Sequence, residues 1–167
     1  GLDYWKVKEE GDREIQRHIF GMMIDLALEY DLPLNVHSRS AGRQTIELLL
    51  SKSARKVQMH AFDGRFGRAL PALEAGYFFS VPPSIVRSPQ KQKLVKNLPL
   101  ESLLLESDSP VLGPIPEERN EPVNILISLK AIAETKQINE EEAAIAITEN
   151  CQRLYGERIR QINNFRV

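Results

Sequence analysis

The sequence predicts an α/β fold built from repeated parallel strand–helix units. Short apolar runs, bounded by turn-forming residues, alternate with longer segments in which apolar residues recur at helical spacing. Strands that alternate with helices in this way form parallel sheets with right-handed crossovers. Four such units amount to about half of a (β/α)₈ barrel, and the alternative is a small doubly wound sheet. No glycine-rich phosphate motif follows a predicted strand, which argues against a nucleotide-binding Rossmann fold.

The first predicted element is a long amphipathic helix with Asp12 as its N-cap. His18 lies off its apolar stripe and is expected at the surface. A short strand over residues 33–37 and a helix over residues 44–50 complete the first unit. The apolar stripe, which we expect to face the core, consists of Ile15, Ile19, Met22, Met23, Leu26, Ala27 and Tyr30.

Three further strands are predicted downstream. Gly76 is expected to end a helix at its C′ position, and Asn139 opens a capping-box sequence with carboxylates in the first turn. In order, the predicted elements are a strand over 56–60, a helix over 66–75, a strand over 77–81, a helix over 90–97, a strand over 103–106, a proline-rich loop over 108–122, a helix over 123–136, a helix from Asn139 towards Ile147, and a separate helical stretch over 149–154.

The fourth predicted strand ends abruptly in two carboxylates, Glu106 and Asp108, followed by Pro110. A short apolar run of this kind suits a parallel strand that is covered on both faces, and the proline prevents a helix from continuing. Acidic residues are rarely buried without a partner, so Asp108 is expected to be paired, hydrogen-bonded or bound to a cation. The alternative is that Asp108 only caps a loop.

The composition is that of an ordinary globular protein. The 167 residues are 42% hydrophobic and 27% charged, which allows one substantial core. A net charge of −1 excludes a globally basic nucleic-acid binder, although a local basic patch remains possible. The single cysteine, Cys151, excludes an internal disulfide framework, and no run approaches the roughly 20 apolar residues of a membrane span. We expect an intracellular protein, cytoplasmic or nuclear, with no membrane partner.

Two histidines and one aspartate stand at corresponding positions in this pattern. His37 and His60 end consecutive predicted strands, and Asp108 follows the fourth. Parallel strands bring their carboxyl ends to one face, so these three side chains are expected to converge in one pocket. Imidazole and carboxylate together suit zinc, manganese or a similar divalent ion. The alternative for each histidine taken singly is a structural role or a loop hydrogen bond.

Basic residues accompany these strand ends. Arg39 and Arg65 fall just past two strands, and Arg87 could be carried to the same rim by the loop after the third strand. Arginine binds phosphate bidentately, so these residues suit an anionic substrate, although they could equally be solvated loop charges. A basic helix nearby is expected to present a solvated face, and the alternative is that it adds to a local basic field; its lysines are Lys91, Lys93 and Lys96.

Five short motifs stand in order along the chain. They are Gly1-Leu2-Asp3, Pro33-Leu34-Asn35-Val36-His37-Ser38-Arg39, His60-Ala61-Phe62-Asp63-Gly64, Leu105-Glu106-Ser107-Asp108-Ser109-Pro110 and Arg119-Asn120-Glu121-Pro122-Val123-Asn124. In order and spacing they resemble motifs of the TatD family of metal-dependent deoxyribonucleases. The resemblance implies the carboxyl-terminal portion of a (β/α)₈ TIM-type barrel, about strands 5 to 8, over residues 1–155, with a polar tail over 156–167.

The same resemblance implies a DNA substrate and two divalent ions per complete active site, whether magnesium, manganese or zinc. His37 and His60 would bind one ion. Asp108 would bind the other ion and would help to orient or deprotonate the attacking water. Glu106 and Arg39 would support the ligands or position the substrate.

The chain departs from the family pattern in one respect. The family's paired histidines and its metal-bridging glutamate would precede Gly1. We therefore expect an incomplete carboxyl-terminal fragment or a truncated isoform that is inactive in isolation. Two alternatives remain: a metal-dependent hydrolase of another ester or amide, and a non-catalytic module that acts through its open sheet edge.

Overall fold

The structure, a computed structural model, describes residues 1–156 and contains a four-stranded sheet packed against helices. All strands are parallel and lie in the order β1-β2-β3-β4. Short 3₁₀ segments cover Pro83–Arg87, Leu100–Ser102 and Pro122–Asn124. The elements are α1 (Glu10–Glu29), β1 (Leu34–Val36), α2 (Gly42–Ser51), β2 (Val57–Met59), α3 (Phe66–Glu74), β3 (Phe78–Val81), α4 (Pro89–Asn97), β4 (Leu103–Leu105), α5 (Ile125–Lys136) and α6 (Glu140–Tyr155).

The register of the sheet aligns the carboxyl ends of its strands. Val36 pairs with Met59, and Val81 pairs with Leu105. The residue after each of these strand ends therefore emerges on the same edge of the sheet. The predicted α/β class, the four parallel strands and their chain positions are confirmed within residues 1–156. The predicted polar tail, apart from Gly156, lies outside the described residues.

The predicted orientation of helix α1 is wrong. The helix begins after Glu9 rather than at Asp12, and no side chain caps it. It turns a different stripe towards the protein, which consists of Phe20, Gly21, Ile24 and Ala27. Of the residues expected in the core only Ala27 is buried; the others are exposed, namely Ile15, Ile19, Met22, Met23, Leu26 and Tyr30. His18 is exposed, as predicted.

Two helix ends follow the predicted local chemistry. Gly76 adopts a left-handed backbone conformation, φ +77°, directly after the C-cap of α3, where a residue without Cβ is favoured. Asn139 caps α6, since its side-chain oxygen accepts a hydrogen bond from the backbone N–H of Glu142 at 2.7 Å. The interruption predicted after Ile147 is absent from this part of the structure, because α6 runs unbroken to Tyr155.

Asn150 ties α6 to the sheet. It is 2% exposed, and its side-chain N–H₂ donates to the carbonyls of Leu100 and Leu103, both at 2.8 Å. Replacement Asn150→Ala is expected to lower the free energy of unfolding by about 2 to 3 kcal/mol, because two carbonyls lose their partner in the interior. Urea unfolding would measure this change. The control is Asn97→Ala, because the exposed amide of Asn97 forms a hydrogen bond only within its own helix. This replacement should change the free energy of unfolding by less than about 0.5 kcal/mol. Equal effects of the two replacements would show that Asn150 does not hold α6 against the sheet.

None of the helices within residues 1–156 combines the length and the apolar character that a bilayer crossing requires.

Candidate active site

The carboxyl edge of the sheet gathers the histidines and carboxylates. His37, His60 and Glu106 each come one residue after β1, β2 and β4 respectively. The amino-terminal segment runs beside β1, because the N–H of Leu2 donates to the carbonyl of His37 at 2.9 Å. This contact places Asp3 next to His37, and the carboxylate of Asp3 lies 2.9 Å from Nε2 of His37.

Glu106 is the centre of a hydrogen-bond network. Its Oε2 lies 2.6 Å from Nδ1 of His60 and accepts a hydrogen bond from the hydroxyl of Ser80 at 2.7 Å. Its Oε1 accepts the backbone N–H of Ala61 at 2.9 Å. The side chain of Glu106 is only 10% exposed, and the bond to Glu106 raises the pKa of His60 against the opposing effect of burial. The carboxylate thus holds the imidazole in one orientation with Nε2 directed away from it.

Asp108 lies on the other side of the same imidazole. Its Oδ1 is 3.3 Å from Nε2 of His60. Burial raises the pKa of Asp108, and the nearby charge of Glu106 adds to that effect while His60 opposes it. The backbone of Asp108 is left-handed, with φ +52°, a conformation that aspartate tolerates better than most residues. Nearby, Asn120 braces the loop by donating to the carbonyls of Ser107 and Val111 at 2.5 and 2.7 Å.

His37, His60 and Asp108 line a cleft of about 540 Å³ that also contains two cationic residues. Lys91 reaches into it from α4 and donates from Nζ to the carbonyl of Ala61 at 3.0 Å, and burial lowers the pKa of this ammonium. The guanidinium of Arg39 lies over the ring of Trp5, 3.8 Å from the centroid. The cleft therefore combines imidazoles, carboxylates and cations, a set suited to an anionic substrate.

The structure brings together most of the residues predicted for the site. His37, Arg39, His60 and Asp108 line one cleft, and Glu106 lies against His60. Arg65 lines a neighbouring groove instead. Arg87 does not line this cleft either, because its Nε donates to the carbonyl of Gly113 at 3.0 Å.

Sequence reasoning missed three members of the cluster. Lys91, predicted to lie on a solvated helix face, is instead part of the cleft wall. Asp3 was noted only as part of a motif, and Ser80 gave no signal because it stands inside a buried strand. Each of the three side chains reaches the site through a contact with a residue that is distant in sequence, and local periodicity does not predict such contacts.

The donor set fits a divalent ion in chemistry but is incomplete in number. A ligating histidine usually donates one ring N–H to a carboxylate and turns its other nitrogen to the metal. His60 has this arrangement, because its Nδ1 contacts Glu106 and its Nε2 faces Asp108. A cation there would also stabilise the ionised form of Asp108. However, within residues 1–156 no three His, Cys, Asp or Glu side chains converge closely enough to hold one ion.

A comparison with protein families decides the affiliation of this chain. The family model described as "TatD related DNase" matches residues 1–156. The chain belongs to the TatD-related DNase family. The predicted family is therefore confirmed. The match begins at residue 1, so it adds no support of its own to the expected loss of amino-terminal ligands, and that expectation stays a prediction.

Two named relatives resemble the chain over most of its length. Human "Deoxyribonuclease TATDN3" is 55% identical over 86% of the chain, which covers 52% of that protein. "Uncharacterized metal-dependent hydrolase YabD" of Bacillus subtilis is 33% identical over 93% of the chain, which covers 62% of the relative. The chain thus spans about half the length of the vertebrate relative and three fifths of the bacterial one.

Solved structures of TatD proteins share the fold. The TatD homologue YjjV of Escherichia coli superposes with a TM-score of 0.84 at 27% identity, covering 93% of this chain and 61% of the other. A TatD family hydrolase from Entamoeba histolytica superposes with a TM-score of 0.81 at 22% identity, with the same coverage of both chains. These neighbours confirm the α/β TatD architecture. The assignment of the four strands to positions 5 to 8 of a barrel stays a prediction.

Proposed function

We propose that this chain forms part of the active site of a divalent-metal-dependent hydrolase that cleaves phosphodiester bonds in DNA. The observation that carries the proposal is the arrangement around His60. Its Nδ1 is engaged by Glu106 at 2.6 Å while its Nε2 faces Asp108 at 3.3 Å, so that one nitrogen is oriented and the other is presented beside a carboxylate. Family membership and the DNase and metal-dependent hydrolase names of the relatives support the same chemistry.

In this proposal His37 and His60 hold one ion, and Asp108 holds a second. A divalent ion bound there would lower the pKa of the attacking water and offset the charge that develops on the phosphoryl group. Asp108 orients that water or accepts its proton, and Arg39 positions the substrate. Because no three donors of the described residues converge, we propose further that the complete centre draws on ligands beyond this cluster and that the 167-residue chain alone is inactive.

The test is hydrolysis of fluorescent single-stranded DNA with Mg²⁺, Mn²⁺ or Zn²⁺ and with EDTA. The 167-residue chain is assayed beside a chimera that joins it to the amino-terminal part of the human relative. Activity in the chimera that EDTA removes would support the proposal. Cleavage of small amides or lactones in place of DNA would redirect it to another substrate, and the absence of any hydrolysis from both proteins would refute it.

Lys91 is proposed to bind a phosphate oxygen of the substrate. Its ammonium lies in the cleft with the histidines and Asp108, and its one hydrogen bond to Ala61 leaves further N–H groups available. Replacement Lys91→Met is expected to weaken binding of the dinucleotide d(TpT) to the chain in EDTA by about tenfold, equivalent to about 1.4 kcal/mol.

Isothermal titration would measure this loss. Lys96→Met, on the exposed last turn of the same helix, is the matched control and should leave the affinity within about twofold. Equal affinities of the Lys91 variant and the unmodified chain would show that the ammonium only supports the loop after β2.

A further inference from the structure

A second, larger groove lies beside the active-site cleft. It has a volume of about 1110 Å³ and runs between the start of α3 and the outer face of α4. Arg65 and Arg68 stand on one wall, and Lys93 stands on the other. Asp63 lines both the groove and the active-site cleft, so the two spaces meet at this residue.

The charge of the groove differs from that of the whole protein. Arg65, Arg68 and Lys93 are exposed, and within residues 1–156 none of the three forms an ion pair with an acidic side chain. The acidic residue of the groove, Asp63, has its carboxylate engaged by the backbone N–H of Ser40 at 3.0 Å. A protein with a net charge of −1 therefore places three cations and one carboxylate around this depression, which gives the groove a local charge of +2.

We propose that this groove binds the phosphate backbone of a single nucleic-acid strand next to the phosphodiester held in the active-site cleft. The inference deepens the proposed function and rests on it. Arginine and lysine neutralise phosphates without reading bases, and the partly exposed ring of Phe66 in the groove offers a surface on which a base can stack. An acidic peptide would satisfy the same cations, but a nucleic-acid strand also accounts for the position of the groove beside the proposed phosphodiester site, with Asp63 lining both spaces.

The test measures binding without hydrolysis. Fluorescence anisotropy follows association of the 167-residue chain with labelled dT₁₂ in EDTA between 25 and 200 mM salt. The variant Arg65→Gln/Arg68→Gln/Lys93→Gln removes the groove cations. The control variant Arg55→Gln/Lys96→Gln/Lys130→Gln removes three exposed cations that lie outside both spaces, so that the net charge of the two proteins is equal.

The groove variant is expected to bind dT₁₂ at least tenfold more weakly than the control variant at 25 mM salt. Its slope of log affinity against log salt should be shallower by about 2, because each single-strand phosphate contact contributes about 0.7. Binding of d(TpT), which is too short to occupy both spaces, should be the same in the two variants.

Equal affinities of the two triple variants for dT₁₂, or no binding of dT₁₂ by the unmodified chain, would overturn the groove assignment. Competition by a twelve-residue polyglutamate as effective as that by unlabelled dT₁₂ would overturn it in favour of an acidic peptide. These outcomes are independent of the hydrolysis assay with metals. If the groove variant binds dT₁₂ as well as the control variant does, the proposed phosphodiester chemistry is unaffected. If the chimera does not cleave DNA, the binding result can still be interpreted.

Discussion

Replacement Asp108→Asn is expected to reduce metal-dependent cleavage of single-stranded DNA by at least about 100-fold in the chimera described above, while dT₁₂ binding changes by less than about threefold. An amide of nearly the same shape cannot accept a proton from water and cannot offset the charge of a cation, and acid–base roles of this kind contribute about 10² to 10⁴ in rate. Asparagine also tolerates the left-handed backbone that position 108 adopts, so the loop should keep its conformation.

Initial rates with Mn²⁺ would measure the loss of turnover. We also expect a loss of Mn²⁺ affinity, which titration of Mn²⁺ into the 167-residue chain would measure. The matched control is Asp31→Asn, since this exposed carboxylate pairs with Lys56 away from the active-site cleft. The control should retain more than half of the activity. Near-normal cleavage by the Asp108 variant would show that the aspartate is a loop cap and that the proposed mechanism is wrong.

The positions of His37, His60 and Asp108 could be predicted because the relevant information is local. Each follows a short segment of strand length, and parallel strands must bring their carboxyl ends to one edge. The register aligns Val36 with Met59, which places the two histidines side by side with ring centroids 6.1 Å apart. The chain pattern therefore contained the main part of the cluster.

Helix α1 shows what periodicity leaves open. This helix carries apolar residues on two faces, the buried one and the predicted one. Spacing shows which residues share a face, but it does not show which face another element covers. Ile24 and Phe20 are buried, whereas Ile19 and Met23 on the predicted stripe remain about half exposed. Helical spacing alone therefore predicted the wrong face of α1.

Lys91 and Arg65 show the same limit for charged residues. Arg65 follows β2 along the chain, and Lys91 lies on α4, which follows β3. Sequence position made Arg65 a candidate for the cleft, with a solvated loop charge as the alternative, and it favoured a solvated face for Lys91. The structure reverses these roles, because α4 begins beside the loop after β2 and directs Lys91 to the carbonyl of Ala61. The direction of a long side chain depends on such packing between elements distant in sequence.

Glu106→Gln is expected to weaken Mn²⁺ binding by about 10- to 100-fold, the usual cost of losing the carboxylate that orients a histidine ligand. Glu106 accepts hydrogen bonds from Ser80 and Ala61 and engages Nδ1 of His60. A glutamine presents one oxygen and one N–H₂, so one of these positions meets a donor instead of an acceptor. Where the N–H₂ faces His60, the ring must carry its proton on Nε2, the nitrogen that faces Asp108 and would bind the ion.

The same variant should change the pH dependence of stability in metal-free protein. Glu106 raises the pKa of His60 in the folded state, so its contribution to stability is fully present below the unfolded pKa of about 6.5 and is lost as pH rises through the folded pKa. Urea unfolding in EDTA should therefore show the largest deficit of Glu106→Gln at about pH 5.5 and a smaller deficit at pH 8.5. Nuclear magnetic resonance of the imidazole should show a lower pKa for His60 in the variant, whereas Glu117→Gln in the exposed loop should leave it unchanged. An unchanged His60 pKa and unchanged Mn²⁺ affinity in Glu106→Gln would remove the carboxylate from the site and confine it to holding the loop after β2.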